Sequence, residues 1–393
     1  MRTTTPKSRR PSRNPVKPLS NTGILNIRPN GTLKTTYRSS FDFSKTAVKR
    51  FTNVVKRSKP ATPKRQAPQS ASHRRRNSLM EPAKSTTNRH SRKVSLENEP
   101  IPVVAKFAHL SRQGVIPGNP GKVNQDAFFE CLNFGPRSNM CLFGVCDGHG
   151  QFGHFVSDFV KQRLPCIISQ DKRLSFDVRH VLHDSILQCN EELKQLELDT
   201  NFSGTTLVLV LIKDKTLWCA NVGDSRAVVG RQLADESAKA WMAIALSRDH
   251  KPDLPEEESR ILSAGGRVAS YEDENGDPAG PARVWLRHED VPGLAMSRSL
   301  GDELAASVGV SSVPEILEFQ LTAADKFILL GSDGVFEFIS NEEAVKLVIP
   351  YWTVQDPEGS VATLERTAVL RWREEEDVID DITSLAVFLD VFN

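Results

Sequence analysis

Four acidic motifs, widely separated in the sequence, each stand at the edge of an apolar run of the kind that forms a buried strand. Residues 141–146 precede Asp147 in this way, and residues 327–330 precede Ser332 and Asp333. A carboxylate just beyond a buried strand points into the cleft that the strand ends share. The four motifs are Asp126, Asp147-Gly148-His149-Gly150, Ser332-Asp333-Gly334 and Asp380-Asp381-Ile382-Thr383.

The side chains at these motifs indicate what would bind between them. Several like charges gathered in one cleft repel, and they raise one another's pKa unless a cation neutralises them. Oxygen ligands without paired cysteines or histidines suit a hard ion such as magnesium or manganese. The sequence therefore predicts a metal-dependent enzyme.

The charge distribution divides the chain into two segments. Residues 1–100 carry 24 Lys+Arg and 4 Asp+Glu, whereas the remaining residues carry 27 and 45. The basic segment is also rich in Ser, Thr and Pro and poor in apolar residues, so it cannot bury enough surface to offset the entropy of ordering. We predict a mostly disordered regulatory tail over residues 1–98 and one globular domain over residues 99–393.

Cysteine usage and the lack of targeting segments indicate an intracellular protein. The six cysteines lie in the globular segment among apolar neighbours and form no Cys-x-x-Cys pair, which predicts reduced core thiols. No apolar run reaches the length of about 18 residues that a transmembrane helix needs. We predict a monomer of the cytoplasm, the nucleus or both. The basic, acid-free residues 1–41 leave a mitochondrial transit peptide as the alternative, although their prolines argue against it.

Secondary-structure patterns favour an α+β fold with antiparallel sheets. Strand-like stretches follow one another through short turns such as Asp214-Lys215, and helical patterns come in blocks. Residues 267–292 are polar, rich in Gly and Pro and without a clear period, which predicts a long surface loop. The predicted strands are 103–110, 126–132, 140–146, 205–212, 216–222, 226–230, 315–320, 326–331 and 383–390. The predicted helices include 152–160, 181–187, 256–264, 341–349 and 357–373.

The ordered motifs of the globular segment resemble the metal-dependent protein serine/threonine phosphatase family known as PP2C, or PPM. One Asp-Gly-His would be weak support, because turns use Asp-Gly freely. Nine motifs in the family's order, within residues 105–390, leave little room for coincidence. Besides the acidic motifs at Asp147, Ser332-Asp333 and Asp380, the matching stretches are residues 123–126 (which include Asp126), 203–207, 220–227, 248–252, 260–261 with 264–268, and 294–302.

The resemblance implies a fold, a cofactor and a reaction. The fold is an αββα four-layer sandwich, in which two central antiparallel sheets are flanked by helices. The cofactor is a pair of Mg²⁺ or Mn²⁺ ions: Asp147 bridges both, the Gly148 carbonyl ligates one, and Asp333 and Asp380 hold the other. A water between the ions attacks the phosphorus of phosphoserine or phosphothreonine in a protein substrate.

The resemblance assigns roles to further residues. His149 protonates the leaving serine or threonine oxygen, and Asp126 supports a metal-bound water. Asp224 resembles the ligand of a weaker third ion in some relatives, although Glu337 stands where its companion is usually an aspartate. An isolated Asp more often caps a turn, and an isolated His is more often structural. These assignments therefore depend on the whole ordered set.

Departures from the family pattern leave two questions open. Gln125 stands where relatives often have Glu, and Gly121 stands where many carry an Arg that grips the substrate phosphate. Lys122 is the first candidate for that grip and Arg112 the next, and a solvated surface lysine is the alternative. These departures motivate a rival function: a pseudophosphatase that keeps the fold as a binding or scaffold protein without turnover.

The basic tail carries short motifs of its own. Ser78 and Ser95 each follow basic residues and precede a leucine, which resembles the target of a basophilic kinase. Phosphorylation there would subtract charge from the tail. Residues 43–55 form a basic amphipathic stripe, which predicts either a docking, calmodulin-like or membrane-surface helix or a transient helix without a partner. No base-reading motif accompanies the basic runs, so no specific nucleic acid is predicted.

Overall fold

A computed structural model of the chain describes residues 103–135, 139–233 and 240–391. The predicted tail over residues 1–98, with the amphipathic stripe, Ser78 and Ser95, lies outside the described residues. Among the described residues, no helix is long and apolar enough to cross a membrane.

The described strands agree closely with the apolar runs of the sequence, and nearly all of their pairings are antiparallel. The strands are β1 (Val104–Arg112), β2 (Asp126–Phe134), β3 (Met140–His149), β4 (Gly204–Thr205), β5 (Leu207–Lys213), β6 (Thr216–Val222), β7 (Arg226–Gln232), β8 (Trp241–Ala245), β9 (Gly266–Glu272), β10 (Pro278–Leu286), β11 (Pro292–Leu294), β12 (Leu300–Gly301), β13 (Glu315–Gln320), β14 (Asp325–Gly331) and β15 (Ile382–Leu389).

Several of the helices begin at a capping residue that the sequence offers. Ser340 accepts a hydrogen bond from the Glu343 N–H, and Asp356, followed by Pro357, accepts one from the Gly359 N–H. The helices are α1 (Gly153–Gln170), α2 (Val178–Lys194), α3 (Pro255–Ser263), α4 (Glu303–Ala306), α5 (Asp333–Phe336), α6 (Asn341–Val354) and α7 (Pro357–Glu375), with a 3₁₀ turn at Lys172–Ser175.

Two large sheets form the centre of the domain. One has the strand order β1-β15-β14-β7-β8, and the other has the order β12-β4-β3-β5-β6-β13. The seventh strand of the second sheet, β2, also pairs with β3. The inner faces of the two sheets share one apolar core, to which Phe143 and Val210 contribute from one side and Ile328 and Val387 from the other. This core is the contact that joins the two sheets.

Helices cover the outer faces of both sheets. Phe327, Leu329 and Phe388 point away from the inter-sheet core and pack with the buried residues of α6 and α7. Helices α1 and α2 lie against the opposite sheet through an apolar face of their own. The predicted αββα sandwich is therefore confirmed for the described residues. The Asp214-Lys215 hairpin between β5 and β6 is also present, with Asp214 at a φ of 54°.

The predicted surface loop over residues 267–292 is wrong. This segment forms most of a third, three-stranded sheet with the order β11-β10-β9. Register shifts interrupt the β9–β10 pairing, and the sheet carries Arg267 over the Trp285 ring and Arg283 over the Tyr271 ring. Val268, Val284 and Leu294 of this sheet also pack with Ile261 of the preceding helix in a small core cluster. Glycines and polar residues interrupt these apolar positions, so the sequence lacks the alternation that normally reveals strands.

Candidate active site

Strand ends bring the acidic motifs to one edge of the sandwich. In the antiparallel register of β2 and β3, Asp126 lies directly opposite Asp147. In the facing sheet, Asp333 follows the end of β14, and Asp380 precedes the start of the neighbouring β15. The structure therefore places all four sequence-predicted carboxylates at neighbouring strand ends.

Backbone contacts fix the position of the Asp147-Gly148 turn. The Asp147 N–H donates to Thr206 Oγ1 at 3.0 Å, and the Gly148 N–H donates to the Gln125 carbonyl at 3.1 Å. A Cβ on Gly148 would lie 2.4 Å from the Gly153 carbonyl oxygen. Only glycine allows this close approach, which leaves the backbone of residue 148 beside the acidic side chains.

Burial and, after it, repulsion between carboxylates destabilise the charged form of the cluster. Asp147 and Asp333 lie within hydrogen-bonding reach of each other, and burial together with the Asp126 and Asp333 charges raises the pKa of Asp147 well above its usual range. Burial, helped by Asp381 and Asp380, raises the pKa of Asp126 to about 7. A bound cation would remove this penalty, because it favours the charged form of every carboxylate near it.

The donor atoms fit a hard cation. The buried Oδ1 atoms of Asp126 and Asp333 accept no hydrogen bond from the described residues. With both partners ionised, the contact between Asp147 and Asp333 supplies no donor either. Across the described ranges, no three Asp, Glu, His or Cys side chains converge as a preassembled cage. The residues thus offer unsatisfied carboxylate oxygens to Mg²⁺ or Mn²⁺, whose usual sites combine few carboxylates with water.

Ser332 and Asp381 hold the carboxylates of the cluster in place. Ser332 Oγ donates to Asp126 Oδ2 at 2.9 Å, which links the two sheets at their shared edge. Asp381 accepts from the Gly114 N–H at 2.7 Å and from the Gln125 N–H at 2.9 Å. Asp381 therefore ties the β1–β2 connection to the segment that presents Asp380.

Both candidates for the phosphate-gripping base have acidic partners. Lys122 Nζ lies 2.6 Å from Asp381 Oδ1 and 3.8 Å from Asp380 Oδ1, and only 11% of its side chain is exposed. Arg112 pairs with Glu365 of α7. Because its side chain is mostly buried and ion-paired, Lys122 is not a solvated surface lysine. It lies beside the predicted metal ligand Asp380.

His149 forms a pair with Asp302. Its Nε2 lies 2.6 Å from Asp302 Oδ2, an oxygen that also accepts from Ser299 Oγ. Gly204 makes room for this carboxylate, since a Cβ there would lie 2.1 Å from Asp302 Oδ2. Burial alone would lower the pKa of His149, but the charge and hydrogen bond of Asp302, together with the Asp224 charge, outweigh it and the pKa is raised. The other ring nitrogen, Nδ1, is buried and has no partner in the described part of the chain.

The Gln125 side chain is bonded to the backbone of a turn. Its Nε2 donates to the Gly150 carbonyl at 2.7 Å, and its backbone carbonyl accepts from Ser157 Oγ. The side chain therefore stabilises the turn that carries His149, in addition to replacing a family carboxylate.

Sequence reasoning missed one charged residue at the site, Lys251. Its Nζ donates to Asp224 Oδ2 at 2.6 Å, and Asp224 is 4% exposed. Their separation of 27 positions follows no helical or strand spacing, so no local pattern could have paired them. Arg298, which belongs to the matching stretch 294–302, pairs with Glu257 of α3.

The segment before Lys251 supports a prediction about acid stability. His250 is fully buried; its Nδ1 accepts from the Gly223 N–H at 3.1 Å, and its Nε2 lies 3.3 Å from Glu315. Burial, with the Arg298 charge, lowers the pKa of His250 to about 4. The unfolded chain takes up this proton near pH 6.5, so the native protein loses stability as the pH falls from about 6.5 to 4, by about 3 kcal/mol.

Urea unfolding at a series of pH values would measure this loss. His250→Asn keeps an acceptor for the Gly223 N–H and should remove about 3 kcal/mol of pH dependence from that window. His183→Asn, at an exposed histidine of α2, should keep the wild-type dependence. Parallel profiles for wild type and His250→Asn would contradict the prediction.

Comparison with known protein families identifies the chain. A model of the family described as Protein phosphatase 2C matches residues 122–369, more than half of the sequence. The chain belongs to the protein phosphatase 2C family. The resemblance inferred from the ordered motifs is thereby confirmed. Membership supports a protein phosphatase, in a family that depends on metal ions, generally Mg²⁺ or Mn²⁺.

Individual relatives agree with this assignment. An Arabidopsis thaliana protein named Probable protein phosphatase 2C 35 is 35% identical over 298 residues, which cover 72% of this chain and 83% of that protein. Probable protein phosphatase 2C 48 of Oryza sativa subsp. japonica is 33% identical over 289 residues, which cover 68% and 80%. Among solved structures, a serine-threonine phosphatase 2C from Toxoplasma gondii superposes with a TM-score of 0.62 at 20% identity, covering 74% and 98%. This last likeness supports the fold of the PP2C domain.

Proposed function

We propose that this PP2C-family protein is a protein serine/threonine phosphatase that hydrolyses phosphoserine and phosphothreonine at a two-metal centre. The observation that carries the proposal is the carboxylate cluster at the strand ends. Its buried oxygens on Asp126 and Asp333 lack donors among the described residues, and His149 stands on the turn next to Asp147. A purely structural cluster would be expected to pair these oxygens.

The residues that would hold the ions are Asp147, the Gly148 carbonyl, Asp333 and Asp380. Two divalent ions bound there would lower the pKa of water and neutralise charge on the phosphoryl oxygens. The chain's own contribution is orientation. Thr206 and the Gln125 carbonyl hold the Asp147-Gly148 backbone, and Asp381 holds the segment next to Asp380.

The proton for the leaving oxygen would come from His149. Because Nε2 contacts Asp302, the proton available for transfer is the one on Nδ1. Asp302 favours the imidazolium form, which is the form that can donate. Lys122, 3.8 Å from Asp380, would supply positive charge to the substrate phosphate at the rim of the site.

Phosphate release from a phosphothreonine peptide by the full-length chain tests the proposal. We expect turnover with Mn²⁺ or Mg²⁺ and none with EDTA. A folded wild-type protein that binds Mn²⁺ without turnover would favour the pseudophosphatase, for which the side-chain orientation of Gln125 toward Gly150 is the supporting observation.

The His149–Asp302 pair predicts a shift in the pH profile of the phosphatase. Asp302→Asn keeps a polar side chain at the left-handed φ of 46° but removes the charge that raises the pKa of His149. The alkaline limb of kcat/KM should move to lower pH, because the imidazolium form of His149 loses its counter-charge. Ser299→Ala removes only a neutral partner of the same carboxylate and should leave the limb near its wild-type position. An unshifted limb in Asp302→Asn would exclude His149 as the proton donor.

The remaining predictions concern substrates and the tail. We propose phosphorylated proteins as substrates, a monomeric enzyme, and a cytoplasmic or nuclear location. Phosphorylation of Ser78 and Ser95 by a basophilic kinase remains a proposal drawn from the sequence.

A further inference from the structure

A lysine lies where the resemblance places the ligand of a third ion. Lys251 Nζ is 2.6 Å from Asp224 Oδ2, and the Asp224 side chain is 5% exposed. The charges of Asp333 and Glu337 also act on Lys251. One protein cation therefore faces the same acidic groups that a third metal ion would face.

Backbone contacts fix the segment that carries Lys251 relative to the loop that carries Asp224. The His250 N–H donates to the Gly223 carbonyl at 3.1 Å, and the Gly223 N–H donates back to His250 Nδ1. Asn221 Nδ2 bonds both the Gly223 carbonyl and the Arg248 carbonyl. The segment that carries Lys251 is thus joined to the loop that carries Asp224.

The ammonium group and a divalent ion would compete for one carboxylate. A hard ion binds carboxylate oxygen at about 2.0–2.6 Å and would take the Oδ2 atom that Lys251 now contacts. Its charge would also repel the ammonium across a short distance. The Lys251 side chain is 32% exposed, so it has solvent into which it could be displaced.

We propose that Lys251 serves as a built-in cation at Asp224, so that a third divalent ion is excluded unless it displaces the lysine. This inference rests on the proposed two-metal phosphatase and adds the number of ions that the chain accepts. It also gives Lys251 a positioning role: the lysine neutralises Asp224 beside Asp333 at any metal concentration.

The experiment counts Mn²⁺ ions bound to the full-length chain, using the electron paramagnetic resonance signal of free Mn²⁺ during titration. Lys251→Met should bind one more ion than wild type, because it exposes Asp224 to the metal. Lys251→Arg keeps the charge and should bind the wild-type number. Lys251→Met combined with Asp224→Asn should return to the wild-type number, which assigns the extra ion to Asp224.

Two results would overturn the proposal. The first is an unchanged number of ions in Lys251→Met that is folded by circular dichroism. The second is a smaller number of bound Mn²⁺ ions in Asp224→Asn alone than in wild type, which would mean that Asp224 already holds an ion in wild type. The experiment compares ion numbers between variants, so its result does not depend on whether wild type hydrolyses phosphopeptide. Absent turnover would count against the proposed function only.

Discussion

Replacing Asp147 or Asp333 with asparagine is expected to reduce phosphopeptide hydrolysis by about 10³-fold or more, since loss of even one preorganised electrostatic contact commonly costs 10²–10³ in rate. Both residues are predicted ligands, so each change removes charge from the ions as well as an oxygen. Asparagine keeps the shape of the side chain, which isolates the effect of the charge.

The same substitutions should have the opposite effect on stability without metal. Burial and mutual repulsion raise the pKa of Asp147 and of Asp333 in the folded chain, which means that the charged cluster opposes folding. In EDTA, Asp147→Asn should therefore unfold at an equal or higher urea concentration than wild type. An activity loss accompanied by lower stability in EDTA would indicate a structural role instead.

Initial rates at saturating Mn²⁺, with isothermal titration of the metal, would measure the first effect. Asp184→Asn is the matched control, because Asp184 is a half-exposed residue of α2 away from the cluster. It should retain wild-type turnover. Near-wild-type turnover in both Asp147→Asn and Asp333→Asn would refute the two-metal site.

Replacing Glu257 with glutamine is expected to destabilise the protein by about 3–5 kcal/mol, the usual cost of removing one partner from a buried ion pair. Glu257 is fully buried and accepts hydrogen bonds from Arg260, Arg298 and Ser297. Its burial would raise its pKa, but these donors outweigh that effect and hold the pKa well below its usual range. Glutamine would leave two guanidinium groups without their shared counter-charge.

Urea unfolding at neutral pH, in buffer with and without Mn²⁺, would measure this loss. The neighbouring Glu256 is the control, because its pair with Arg248 is about half exposed on both sides. Glu256→Gln should change the free energy of unfolding by less than about 1 kcal/mol. A loss below that limit in Glu257→Gln would show that the arginines find other partners.

Local sequence patterns predicted most of the strands because most of the apolar runs are buried between the two sheets or beneath helices. β5 illustrates this, since six of its seven residues are buried. The pattern failed for β9 to β11, a small sheet whose few apolar positions are interrupted by polar residues and glycines and which also carries Arg–aromatic pairs. It also missed β8, a strand at the edge of its sheet whose residues are half-buried or exposed.

The residues of the candidate site were predictable to different degrees. Asp126, Asp147, Asp333 and Asp380 stand beside buried strands, and antiparallel pairing brings strand ends together. The order of the motifs and the residue type were therefore enough to predict that these carboxylates converge. The acidic partners of the two lysines at the site could not be predicted in this way. Lys122 is paired with Asp381 and Lys251 with Asp224, across 259 and 27 residues respectively.

The sequence by itself determined the family, the sandwich of two sheets and the acidic residues at its edge, because the order of the motifs and the periodicity of apolar residues can be read directly along the chain. Only the tertiary structure decided which charge neutralises which. An ion pair depends on a few ångströms between side chains that the fold brings together from distant positions, and no periodicity records that distance. His149 with Asp302, Lys122 with Asp381 and Lys251 with Asp224 are three pairs at the site that the fold established.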